Sequence, residues 1–178
     1  MRFVDFLRTT VLLSAGAATA LAAVTVLASA ASSTSSSYLV PVAVGWWVIA
    51  AVIGMLSGRR AETNPPIARL LASARASTTL PEHHPSAILV NRLWPLLVFT
   101  LLSGGLAFLA PQIPGIAAGF AIIWALAWRR QDAAVAAIEE RDGAAFYVRR
   151  TSPIRPMSLL RTPGFAASRP ERVNGAVT

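Results

Sequence analysis

Four stretches of this chain carry no Asp, Glu, Arg or His over most of the length of a membrane crossing: residues 11–31, 38–56, 93–110 and 113–128. A helix needs roughly 20 apolar residues to cross a ~30 Å hydrocarbon core. The first two runs meet that length and the third nearly does. The fourth, residues 113–128, spans about 24 Å at 1.5 Å per residue, and Arg129 and Arg130 can complete it by snorkelling to the headgroups. Hydrocarbon offers backbone N–H and C=O groups no partner, so such runs must pair internally, and helix is the expected state. They are too long and too evenly apolar for the alternating strands of a barrel. The rest of the composition agrees. Of 178 residues, 54% are hydrophobic and 13% charged, against about 25% charged in an ordinary soluble domain. Intrinsic disorder needs low hydrophobicity and is excluded over these runs.

The connections between the runs divide by charge. Residues 32–37 (Ser-Ser-Thr-Ser-Ser-Ser) and 111–115 (Pro-Gln-Ile-Pro-Gly) have none. Every basic residue lies elsewhere: Arg2 and Arg8 before the first run, Arg59, Arg60, Arg69, Arg75 and Arg92 between the second and third, and Arg129 onward after the fourth. Arg on the same side of every crossing is the positive-inside pattern. The expected fold is an all-α integral membrane protein. Its four transmembrane helices form two hairpins, with both termini and the central loop, residues 57–92, in the cytoplasm. Residues 1–130 form the transmembrane domain and residues 131–178 a basic cytoplasmic tail. The expected location is the plasma (inner) membrane, multi-pass. The basic residues number 16 and all are Arg; with the high Ala content this suggests GC-rich coding and a bacterial source. A competing reading of the first run is a signal peptide, with Ala28-Ser29-Ala30 as a cleavage site, but the apolar stretch exceeds the ~7–15 residues of a typical signal core.

Outside the bilayer the signals are weaker. Asn64-Pro65-Pro66 is a helix start. Ile67, Leu70, Leu71 and Ala74 then follow at i, i+3, i+4 and i+7, which predicts a short amphipathic helix lying on the inner membrane surface. Residues 131–140 can prolong the fourth helix until Asp142-Gly143 turns the chain. Residues 146–148 have weak strand character. The chain beyond Arg149, rich in Pro, Arg, Ser and Thr, is expected to be irregular or disordered.

The sequence offers little chemistry. Cysteine is absent, so there is no thiol nucleophile or thiolate metal site. No acidic residue lies in any run, which argues against a proton relay. His83 and His84 are the only histidines; with Asn91 and Arg92 they form a weak candidate polar site at the inner interface. No catalytic residue, metal site or cofactor is expected. The net charge of +8 marks topological anchors and an attraction to anionic lipid headgroups. Nucleic-acid binding is not expected, since the tail lacks a recognisable fold and interleaved aromatics. Gly54 with Gly58, and Gly115 with Gly119, are spaced as small-xxx-small pairs that let helices approach closely in lipid. The expected function is therefore non-catalytic: an accessory, scaffold or assembly subunit that engages a membrane-protein partner or a second copy of itself. A small oligomeric carrier or channel is the alternative, and a membrane enzyme using the inner-interface His and Arg residues is a third.

Overall fold

The computed structural model describes residues 1–31, 38–59, 63, 65–76, 85–149 and 157–163. The element order is α1 (Phe3–Ala31), α2 (Leu39–Ser57), α3 (Pro65–Ala72), β1 (Arg75–Ala76), α4 (Pro85–Gly105), a 3-10 turn (Leu106–Phe108), α5 (Gln112–Trp128), α6 (Gln131–Asp142), β2 (Ala144–Val148) and β3 (Leu159–Pro163). The protein is mostly helical. Three helices are long and apolar enough to cross a membrane: Phe3–Ala31, Leu39–Ser57 and Ser86–Phe108.

The fourth apolar run becomes α5, with 17 residues, and it is the hub of the bundle. Both α1 and α2 pack against it. It can take two neighbours because the positions it turns inward are small: Gly115, Ala117, Ala118, Gly119, Ala121 and Ala125 are all buried. On α1 the buried positions fall at spacings of three and four, from Thr10 and Ser14 through Ala18 and Leu21 to Thr25 and Ser29. That is one face of a helix. α4 packs more lightly against α1 and α5.

α1 starts eight residues earlier than the uncharged run suggests. Its 29 residues extend about 43 Å at 1.5 Å per residue, some 13 Å more than a ~30 Å hydrocarbon core. The surplus has a use. Phe3, Phe6 and Leu7 are buried in a second core at the Arg-bearing end of the bundle, with Ile67 of α3, Ile88 of α4, Val135 of α6, Phe146 and Val148 of β2, and Leu159 of β3. A small folded cap thus closes that end.

The cap corrects two expectations. The apolar stripe of α3 does not lie on lipid: Ile67 is 1% exposed, and Leu70, Leu71 and Ala74 pack against the same protein core. Enough apolar surface is gathered here from other segments to cover an 8-residue helix that could not persist alone. The second correction concerns the tail beyond Arg149. Residues 159–163 form a strand antiparallel to residues 144–148, from Ala144 opposite Pro163 to Val148 opposite Leu159. β1, from the central loop, adds parallel to β3, giving the order β1-β3-β2. Burial alternates along β2 with Ala144, Phe146 and Val148 inward, the period-two pattern of a sheet with one covered face. The outer edge of β2 is covered by the N-terminus: Val148 N donates to Met1 O at 3.1 Å, and Arg2 bridges to Tyr147. The cap therefore takes residues from both sides of residue 130. α6 is a separate helix, divided from α5 by a turn at Arg129-Arg130 and ended by Gly143, whose φ of 58° is left-handed and suits the residue without a Cβ.

Candidate functional site

The seam between α2 and α5 is built on glycine and tryptophan. A Cβ placed on Gly54 would lie 2.8 Å from Leu126 Cβ and 3.1 Å from the Ile123 Cα and carbonyl oxygen. One on Gly58 would overlap the carbonyl oxygen of Leu126, and one on Gly119 would overlap the indole of Trp46. Gly115 faces α1 as well, with Thr25 Cγ2 3.2 Å and Ala43 Cβ 3.5 Å from a Cβ built there. All four glycines thus meet helices of the same chain. The adjacent tryptophans of α2 both reach across. Trp47 Nε1 donates to Gly115 O at 2.8 Å and Trp46 Nε1 to Ile116 O at 3.1 Å. A helical carbonyl keeps a second lone pair for such a donor. Trp46 also meets Phe120 edge-on, with ring centroids 5.6 Å apart.

The hydroxyls on the buried face of α1 are spent locally. Thr10, Ser14, Thr25 and Ser29 each donate to the carbonyl four residues back, at 2.6 to 2.8 Å. Each of these bonds satisfies a hydroxyl inside its own helix. The stripe is a packing surface, and these hydroxyls do not form a relay of free donors.

At the Arg-bearing end the electrostatics centre on a residue that the sequence gives no reason to single out. Glu139 of α6 is 6% exposed. Its Oε2 accepts from Arg2 Nη2 at 2.6 Å and its Oε1 accepts from the backbone N–H of Phe146 at 2.8 Å. One carboxylate therefore ties α6 to the N-terminus and to β2. The hydrogen bond and charge of Glu139 hold the Arg2 guanidinium above its usual value. Arg8 lies 3.6 Å from Asp132, and Arg130 Nη1 donates to Arg59 O at 3.2 Å. Around these ties Arg59, Arg69, Arg75, Arg130, Arg141, Arg149 and Arg161 are exposed, so the cap presents a strongly basic outer surface.

Of the polar site proposed at the inner interface, Asn91 and Arg92 lie two turns into α4 and are half-buried. His83 and His84 lie outside the described residues. Among the described residues no three His, Cys, Asp or Glu side chains gather to hold a metal ion.

At the uncharged end α1 and α4 stand apart. Between them is a half-open cleft of about 1000 Å³ whose walls include Ala20, Ala28 and Ala31 of α1 and Gly104, Gly105 and Phe108 on the other side. Nothing approaches within 4 Å of a Cβ built on Gly104 or Gly105. No protein-family model matches this chain, and neither a curated protein nor a solved structure matches it.

Proposed function

We propose that the protein is a non-catalytic plasma-membrane subunit. It crosses the bilayer four times with the cap in the cytoplasm, and it serves as an accessory, scaffold or assembly component. The observation that carries this reading is the state of α4. The glycine pairs are taken up by contacts inside the chain, so they do not supply an outward docking face. α4 does. Leu97 and Leu102 are 59% and 62% exposed, and the span Ser86–Phe108 is the least buried of the three. From Leu93 onward α4 is mostly apolar and little covered, which suits lipid or a partner's transmembrane helix.

The cap supports the same reading from the other end. Its core gives it a fixed shape, and its exposed arginines suit anionic headgroups, at about 1 kcal/mol per residue near the surface. It is a rigid basic surface beside the membrane, suited to holding a partner in register. A photo-reactive residue at Leu97 tests the reading. In native membranes it is expected to trap one protein partner or a second copy in defined ratio, while the same group at Val48 of α2 traps mainly lipid. Equal trapping at the two positions, with a monodisperse monomer in mild detergent, would remove the proposal.

A further inference from the structure

The cleft between α1 and α4 is not used by the function proposed above. We infer that it is a binding site for the acyl chains of one membrane phospholipid, entering from the leaflet at the uncharged end. The inference needs the chain to lie in lipid but does not need a partner on α4.

Size selects the occupant. Along α1 the cleft runs from Ala20 to Ala31, about 17 Å at 1.5 Å per residue, or roughly half of a ~30 Å hydrocarbon core. It therefore spans one leaflet. Its volume is about 1000 Å³ over that length. A full transmembrane crossing is about twice as long as the cleft. Charge points the same way. No lining residue is charged. Among its polar side chains, the Thr100 hydroxyl is already given to Leu96 O at 2.8 Å, and Gln112, at the start of α5, is exposed. The walls ask for hydrocarbon, with the Gln112 amide near headgroup level.

Closure of the gap is opposed by the way α4 ends. Ser103 and Ala107 are buried on one side of it, the chain tightens into the 3-10 turn, and only residues 109–111 connect to α5. That short link holds the end of α4 beside α5 while Gly104 and Gly105 border open space. An apolar cleft does not hold water well, and an empty one would forfeit the dispersion contacts of its walls. Acyl chains are the filling available on site.

The test uses the full chain in phosphatidylcholine nanodiscs, with a trace phosphatidylcholine carrying a diazirine in one acyl chain. Adducts mapped by mass spectrometry should concentrate on residues 20–31 and 100–109. Gly105→Trp fills the cleft and should remove the enrichment of adducts on residues 20–31 and 100–109, because the displaced methylenes lose the packing contacts of the walls. Gly16→Trp, at another open position on α1, should leave labelling unchanged. If Gly105→Trp fails to fold, Ala28→Trp on the opposite wall gives the same readout. Adducts spread evenly over the lipid-facing helices, or labelling indifferent to a folded cleft-filling variant, would overturn the site. Equal labelling by a diazirine fatty acid would overturn the assignment to a phospholipid.

Discussion

Replacing Gly58 by alanine sets a favourable local effect against an unfavourable packing effect, and the structure says which wins. Gly58 follows α2 with φ −89° and ψ 10°, a conformation any L-residue adopts, so no backbone strain opposes the change. In open space the substitution would stabilise by about 0.4–1 kcal/mol through a less flexible unfolded chain. Gly58 is not in open space. Its new methyl would overlap the carbonyl oxygen of Leu126, which is backbone and cannot rotate away. Relief requires α2 and α5 to separate locally by something near 1 Å, and a gap of that size forfeits a quarter to a half of each contact's dispersion energy. Overpacking of this kind costs about 1–3 kcal/mol, so the net expectation is a loss of roughly 1–2 kcal/mol. Gly119→Ala should cost less, because the clashing group is the half-buried Trp46 ring, which can swing toward lipid. Gly45→Ala and Gly16→Ala, with nothing within 4 Å, should be neutral or stabilising. Reversible SDS unfolding in mixed micelles, followed by tryptophan fluorescence, measures the series. A stabilising Gly58→Ala beside a destabilising Gly45→Ala would refute the α2–α5 seam.

Further outcomes follow from the other contacts. Trp47→Phe keeps an aromatic ring but removes the indole N–H donor to Gly115 O and the smaller ring with it; micelle unfolding should show a loss of at least about 0.6–1.7 kcal/mol. Glu139→Gln keeps an acceptor for the Phe146 N–H and should be mild, whereas Glu139→Ala strands that buried donor and should cost about 1–3 kcal/mol, seen as faster proteolysis of residues 131–163. Phe3→Ala, at 1% exposure, should loosen the cap by about 3–5 kcal/mol, with faster hydrogen exchange in β2 and little change in α5.

Much of this architecture can be read in the chain, and what cannot has physical reasons. The apolar runs place α2 and α5 to within a residue or two, because burial in lipid demands an unbroken stretch and Arg59 and Arg129 mark where it stops. The same logic misplaces the start of α1. Arg8 ends the uncharged run but not the helix, since it projects outward beside Asp132. The cap is invisible because its core is assembled from single residues far apart in the chain, such as Phe3, Ile67, Ile88, Phe146 and Leu159. Each sits among arginines or prolines with too short a pattern to announce itself. β3, the sequence Leu-Leu-Arg-Thr-Pro, is a strand only because β1 and β2 flank it. Glu139 shares an Ala-rich helix with Glu140, and only the fold decides which of the two is buried. The spacing of the glycines is visible in the sequence, but the ring of Trp46 lying over Gly119 is not. His83 and His84, the most conspicuous polar pair in the sequence, fall outside the described residues.

The claim on which the rest depends is that the arginine-rich cap and the uncharged turns lie on opposite sides of a bilayer. The absence of native cysteine makes single-cysteine labelling direct. Cysteine at Gln112, next to the uncharged turn, should react in intact cells with a maleimide that cannot cross membranes. Cysteine at Glu140, exposed on the cap, should react only after permeabilisation. Labelling of both positions in intact cells, or of Glu140→Cys alone, would contradict the account.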